Sequence, residues 1–224
     1  SYFGLEMTGN RVSGQNTGIG IFLDDVYGTV DQTVLLANNF VQVGGTNTVQ
    51  GIYVDRGNYQ KIYHNSVNLT NTNSNSYAYF ANSGSNRQVY NNIFANVGVG
   101  RTYYTNSTTG SLQSDHIDLY TTGPTLGFYG STTYAELATW QSGANRDTNS
   151  VSIDPLFVSD TDLHVTNVLL DKLGLGVAEV PVDIDGEARD PARPDLGADE
   201  FFTATEDASL VSIDSPVMPF AADL

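Results

Sequence analysis

The chain has 224 residues, with 9 Lys+Arg against 25 Asp+Glu and a formal charge of −16. That balance disfavours nucleic acid and anionic membrane surfaces as partners, since phosphate binding needs a basic face. The 0 Cys exclude a disulfide framework and a thiolate zinc site, and no apolar run approaches the roughly 18 residues of a membrane span.

The charge is compatible with cation binding, with neutral glycans, or with solubility alone. With 22 Gly and 13 Tyr among abundant Asn, Thr, Val and Ser, the composition is that of an all-β chain with many corners.

In chain order, short alternating segments recur. "MTGNRV" (7–12), "LANNFV" (36–41), "IYHNSV" (62–67) and "VYNNIF" (89–94) align on Asn10, Asn39, Asn65 and Asn92, at spacings of 29, 26 and 27. "GIFLDD" (20–25), "QGIYVDRG" (50–57), "YAYFANSG" (77–84) and "RTYYTN" (101–106) align on Asp24, Asp55, Asn82 and Asn106, at spacings of 31, 27 and 24. Two columns sharing one drifting period indicate a solenoid. The segments lack helical periodicity and are bounded by Gly and Asn, so the solenoid is a parallel β-helix with coils of 24–31 residues. Asn10, Asn39, Asn65 and Asn92 then stack as an amide ladder. Asn is expected there because it tolerates the left-handed backbone of a corner.

Strand alternation puts Gly20, Phe22 and Asp24 on one face, with Ile21 and Leu23 on the other. Stacked, the first face collects Phe22, Tyr53, Phe80 and Tyr104 beside Asp24, Asp55, Asn82 and Asn106. The other collects Ile21, Ile52, Tyr79 and Tyr103 with Leu23, Val54, Ala81 and Thr105. The second set is richer in aliphatic and small residues, so it is assigned inward. The outward aromatics, with Asn82 and Asn106, become candidate glycan contacts. A reversed register would make the same ladder core stacking.

Residues 107–131 are less regular, with two apolar segments, "HIDLY" and "LGFYG". Thr133-x-x-Glu136 reads as a capping box opening a helix near 134–142, with Tyr134, Leu137 and Trp140 on one face. "SIDPLFVS" and "DLHVTN" return to strand chemistry. "DIDGEARDPARP" is a charged, turn-rich excursion at the surface, and "DLGADEFF" reads as a last strand.

The N-N-x-F/V pattern followed by G-I-x-V resembles the right-handed parallel β-helix repeat of pectate-lyase-like folds. "TTYAELATWQSGANRDTNSVSIDPLFVSDTDLHV" (132–165) and "DIDGEARDPARPDLGADEF" (183–201) resemble the closing segments of β-helix modules in large secreted, multidomain bacterial surface proteins. The resemblance implies a β-helix over 1–202 with irregular C-terminal coils. It implies that 203–224 is a linker entering a following, immunoglobulin-like module, and that the chain is a piece of something longer. It also implies a secreted or outer cell-surface setting, with polysaccharide or neighbouring modules of the same chain as partners. The expected role is adhesion, glycan contact or rigid spacing.

In pectate-lyase-like relatives, acidic residues hold calcium and a Lys or Arg abstracts the proton. Asp24, Asp55 and Arg56 are the positions here that could serve a polysaccharide lyase or glycoside hydrolase, the alternative reading. No cofactor is required. The candidate calcium ligands are Asp183, Asp185 and Asp190; two further clusters, Asp160/Asp162/His164 and Asp115/His116/Asp118, offer metal-type donors.

Overall fold

The computed structural model describes residues 4–106 and 112–201. β1 (Glu6–Thr8), β2 (Arg11–Gln15) and β3 (Ile19–Leu23) make the first coil, and β4 (Val34–Ala37), β5 (Phe40–Gly44) and β6 (Gln50–Val54) the second. β7 (Gln60–Tyr63), β8 (Ser66–Leu69) and β9 (Tyr77–Ala81) make the third, and β10 (Arg87–Tyr90), β11 (Ile93–Asn96) and β12 (Arg101–Thr105) the fourth. β13 (Leu112–Asp115), β14 (Asp118–Thr121) and β15 (Gly127–Tyr129) lie on that coil. β16 (Thr132–Tyr134) then turns back antiparallel to β15 and leads into α1 (Leu137–Ala144).

Equivalent strands pair in parallel into three sheets. The first is β1-β4-β7-β10-β13, the second β14-β11-β8-β5-β2, and the third β16-β15-β12-β9-β6-β3. This is the all-β parallel solenoid expected from the repeat, with about four turns and one short helix. Register follows the sequence columns: Ile21, Ile52, Tyr79 and Tyr103 pair in succession, as do Phe22, Tyr53, Phe80 and Tyr104. Leu36, Ile62 and Val89 from the first sheet, Val41, Val67 and Phe94 from the second, and Ile52, Tyr79 and Tyr103 from the third meet in one buried core.

The amide ladder forms between the first and second sheets. Each Nδ2 donates to the next Oδ1: Asn10 to Asn39 at 2.8 Å, Asn39 to Asn65 at 2.8 Å, and Asn65 to Asn92 at 2.9 Å. Its members are not the left-handed residues. Those stand one position earlier, at Gly9 (φ 69°), Asn38 (53°), His64 (49°) and Asn91 (59°). The corner turns there, and the following Asn points inward to bind carbonyls the turn leaves unpaired; Asn65 Nδ2, for example, also donates to Leu36 O and Tyr63 O at 3.0 Å.

The glycine of the G-I-aromatic motif also has a cause that differs from the expectation. Gly20 does not share the outer face with Phe22. A Cβ at Gly20 would lie 2.5 Å from Val41 Cγ1, and one at Gly51 would meet Val67 Cγ1 and lie 2.6 Å from Ala78 O. Alternation is interrupted here, so this column points at the second sheet, and glycine supplies the clearance.

The helix departs from the predicted boundaries. Thr133 is in β16, opposite Phe128, and Glu136 is the N-cap residue with no side-chain cap bond, so no capping box forms. Tyr134 reaches Trp140 from the strand, ring centroids 5.6 Å apart. Trp140 is fully buried over Gly127 and Tyr103, and its Nε1 donates to Asp147 Oδ2 at 2.7 Å. α1 thus lids the core at the β15 end.

Residues 151–201 do not stack as further coils, and "DLGADEF" is not a strand. They form an irregular strap that runs back over the outer side of the second sheet. Its contacts include Tyr120 with Asp154, Asn91 Nδ2 with Leu175 O at 2.7 Å, Ser66 Oγ with Ala198 N at 3.0 Å, and Arg11 with Asp185 at 2.8 Å. Val165, Leu170 and Leu196 pack on Ile93 and Ala95, and Leu163 and Ala198 on Phe40. β5, β8 and β11 are therefore buried on both faces. Residues 203–224, expected as a linker and new module, lie outside the described residues.

Candidate functional site

The third sheet leaves its outer face uncovered by the strap, and two parallel columns run along it. The aromatic column is Phe22, Tyr53, Phe80, Tyr104 and, beyond the expected four, Phe128. Neighbouring centroids are 4.8, 4.7, 4.2 and 4.7 Å apart, and all contacts are stacked except the perpendicular Tyr53–Phe80 pair. Ile21, Ile52, Tyr79 and Tyr103 are buried behind it, so the ladder is external rather than core. Phe128 sits in "LGFYG" one coil on; the irregular 107–131 spacing hid it. Tyr77 flanks the ladder at 4.9 Å from Tyr104, and the Arg101 guanidinium stands 5.3 Å over the Tyr77 ring.

Because the rings stack along the solenoid axis, their faces cover one another. What they offer outward is ring edges and hydroxyls, together with the terminal ring Phe22, which is 46% exposed. Edge-on stacking of this kind stabilises the sheet through cross-strand pairs.

The polar column lies alongside. Arg56 bonds Asp24 at 2.7 Å, Asp25 at 2.9 Å and Asp55 at 3.5 Å. Asn82 Nδ2 donates to Asp55 at 2.7 Å, Asn106 Nδ2 to Asn82 at 3.2 Å, and Tyr104 OH to Asn106 Oδ1 at 2.6 Å. The structure therefore links Asp24, Arg56, Asp55, Asn82, Asn106 and Tyr104 in one polar stripe, with Phe22, Tyr53 and Phe80 stacked alongside it. The hydrogen bond to Asp24, and then the nearby carboxylates, hold the Arg56 proton more firmly than usual. Burial, then Asp55 and Asp24, push the Tyr53 hydroxyl upward, so it stays protonated as a donor.

The three expected calcium ligands do not converge. Asp183 is buried and accepts from Asp185 N, Glu187 N and Glu200 N at 2.9, 2.8 and 3.0 Å. Asp190 caps Ala192 N and Arg193 N at 2.8 and 3.0 Å. The excursion keeps an exposed turn at Asp185–Ala188, but Asp183 and Arg189 at its flanks are buried, and Arg189 pairs with the buried Glu200 at 3.1 Å. Asp185 instead leaves that loop to meet His164 Nε2 at 2.7 Å, beside Asp199 and Asp162.

Of the third cluster, Asp115 binds Asn149 N and Nδ2 at 2.8 and 2.7 Å. Asp118 turns inward to Ile153 N at 2.9 Å, where burial raises its carboxyl well above the usual range. Among the described residues, His164, Asp185 and Asp199 are the group with converging metal-type donors.

Comparison with family models, with curated proteins and with solved structures gives no match for this chain. The parallel β-solenoid stands on its strand pairing alone.

Proposed function

We propose that the chain is a rigid solenoid module, belonging to a secreted or surface-exposed protein, whose third sheet makes contact with an extended glycan. The observation that carries this reading is the outward placement of two parallel stripes, aromatic and amide/carboxylate, that run coil after coil along one uncovered face. Tyr hydroxyls, Asn amides and Asp24/Asp55 suit sugar hydroxyls, while ring edges and Phe22 suit C–H surfaces. The −16 charge favours neutral polysaccharide over polyuronate. The ladder and the continuous core supply rigidity.

Affinity electrophoresis of the chain through gels containing neutral polysaccharides tests it. Retardation is expected on at least one polymer, and should weaken in Phe22→Ala and Asn106→Ala, both at exposed ends of the stripes. Equal retardation of both variants, or none on any polymer, would sink the glycan reading and leave a spacer.

A further inference from the structure

We propose that the corner between the third and first sheets holds a second carbohydrate site, a cleft that takes one neutral sugar ring against Tyr59, Gln88 and Gln113. The cleft has a volume of about 260 Å³. That is below the roughly 300–1,000 Å³ of sites for drug-sized ligands, so it suits a single ring. One column of the first sheet supplies Lys61, Gln88 and Gln113, in register on β7, β10 and β13, and Tyr59, Thr33 and Val30 stand across from it in the lining. Val30 is the most exposed large apolar side chain among the described residues, at 72%. Its turn is nonetheless fixed: Thr29 N donates to Gln32 O at 2.9 Å, and Gly28 N ties the loop to Asn58 O at 2.8 Å.

Tyr59 is the observation that points to a ligand. Among the described tyrosines it alone has neither an aromatic neighbour for its ring nor a hydrogen-bond partner for its hydroxyl. It also holds φ at 53°, a region that a bulky side chain enters only under strain. Its backbone is locked there, with Val34 N donating to Tyr59 O at 2.9 Å and Tyr59 N to Ser85 O at 3.3 Å. One coil on, the equivalent corner residue is Asn86, also left-handed at φ 51°, where that backbone is tolerated. A strained tyrosine with no packing role, facing a cleft, is explained by what the cleft receives.

The polar groups fix the class of ligand. Tyr63 OH donates to Gln88 Oε1, and Tyr90 OH to Gln113 Oε1 at 3.0 Å, which orients both amides. Gln88 Nε2 then donates to Gln113 Oε1 at 3.3 Å, and Gln113 Nε2 keeps its hydrogens for an acceptor outside the described residues. Lys61 is paired with Glu179 at 2.5 Å, so the lining carries no unbalanced charge from it. An aromatic ring, a phenol hydroxyl, an amide donor and apolar Val30, without net charge, match a neutral sugar. The cleft shares a ligand class with the third-sheet reading but none of its residues, so each stands or falls apart from the other.

The test is titration of the isotope-labelled chain with glucose, galactose, mannose, N-acetylglucosamine and glucuronate, read by the Gln side-chain amide and Tyr ring resonances. Saturable shifts at Gln88, Gln113 and Tyr59 are expected with at least one neutral sugar. Tyr59→Asn takes the residue of the next coil, so it should unfold at the same or a higher temperature while binding at least about tenfold more weakly. Gln113→Ala should weaken binding about threefold or more, and Phe22→Ala, on the third sheet, should leave these shifts unchanged. No saturable shift with any neutral sugar, glucuronate binding more tightly than glucose, Tyr59→Asn binding as the parent does, or Tyr59→Asn unfolding at a lower temperature would each overturn the proposal.

Discussion

Arg189 and Glu200 form a buried ion pair, Nη1 to Oε2 at 3.1 Å, inside a stretch whose composition reads as solvated surface. Glu200 also accepts from Asp190 N and Asp195 N, each at 3.0 Å, and Arg189 donates to Asn38 Oδ1 at 3.0 Å and Gly197 O at 3.1 Å. The pair thus pins the end of the strap to the corner of the second coil. Removing one buried partner strands the other, at a cost of about 3–5 kcal/mol. Arg189→Met should lose stability on that scale in urea unfolding, followed by far-ultraviolet circular dichroism. A loss well under 1 kcal/mol, as for a surface pair, would mean the strap is not docked this way.

The amide ladder should be strongest at its centre. Asn65 Oδ1 accepts from Asn39 Nδ2 at 2.8 Å, and its own Nδ2 reaches two carbonyls and Asn92. Asn65→Ala leaves several buried groups unpaired, and a loss of roughly 2–3 kcal/mol is expected. Asn10 is exposed at the ladder's end, where water replaces the lost bonds, so Asn10→Ala should cost under about 1 kcal/mol. Equal losses in paired denaturation curves would contradict a cooperative interior ladder.

Gly51 and Gly186 should respond to alanine for different reasons. At Gly51 φ is not in the left-handed region, yet a Cβ would press on Val67 and lie 2.6 Å from Ala78 O, so overpacking of about 1–3 kcal/mol is expected. At Gly186 nothing lies within 4 Å but φ is +88°, so the cost is backbone strain alone, about 1 kcal/mol. A crystal structure of Gly51→Ala should show the second and third sheets moved apart at that coil, and of Gly186→Ala only a local change.

His64 should make stability fall on acidification. Its Nδ1 donates to Gly197 O at 3.2 Å, and its Nε2 accepts from Asn91 Nδ2 at 2.9 Å, a pattern that requires the neutral ring. Burial, and then the neighbouring Arg189 charge, depress its pKa well below 6.5, against weaker opposing bonds from Gly197 and Asp195 backbone groups. The unfolded chain therefore takes up a proton at a pH where the native chain does not. The stability associated with neutral His64 is complete above about 6.5 and is lost as pH falls below it, at up to about 1.4 kcal/mol per pH unit. Asp195 works oppositely: burial raises it to about 7, so its contribution is lost as pH rises through that value. The clean measurement is the difference between the parent and His64→Asn, since Asn38 and Asn91 already occupy this left-handed corner. The stability of the parent relative to His64→Asn should fall steadily below pH 6.5; a flat difference would place a charged histidine in the native corner.

The two columns, their stacking and the outward turn of Phe22, Tyr53, Phe80 and Tyr104 were legible because a solenoid converts spacing along the chain into contact across coils. Asn39 and Asn65 meet at a separation of 26 residues, one coil, so periodicity alone places them together. The strap has no such period. Its contacts join residues as far apart as Arg11 and Asp185, 174 positions, and Ser66 and Ala198, 132 positions. Nothing local in "DIDGEARD" distinguishes a solvated turn from a buried charge network. Thr133 and Glu136 show the same limit on a smaller scale: the capping pattern is present, but pairing of Thr133 with Phe128 draws it into β16.

Composition and repeat alone determined that this chain winds as a parallel β-solenoid and which side chains form its ladders, because those depend on local alternation and a nearly constant coil length. Tertiary structure alone decided that residues 151–201 fold back over the second sheet. It buried Arg189 with Glu200 there, and it separated Asp185 from Asp183 and Asp190 to set it beside His164 and Asp199. Those arrangements follow from how one aperiodic segment fits a surface already built, and that fit is written in distances no spacing along the chain encodes.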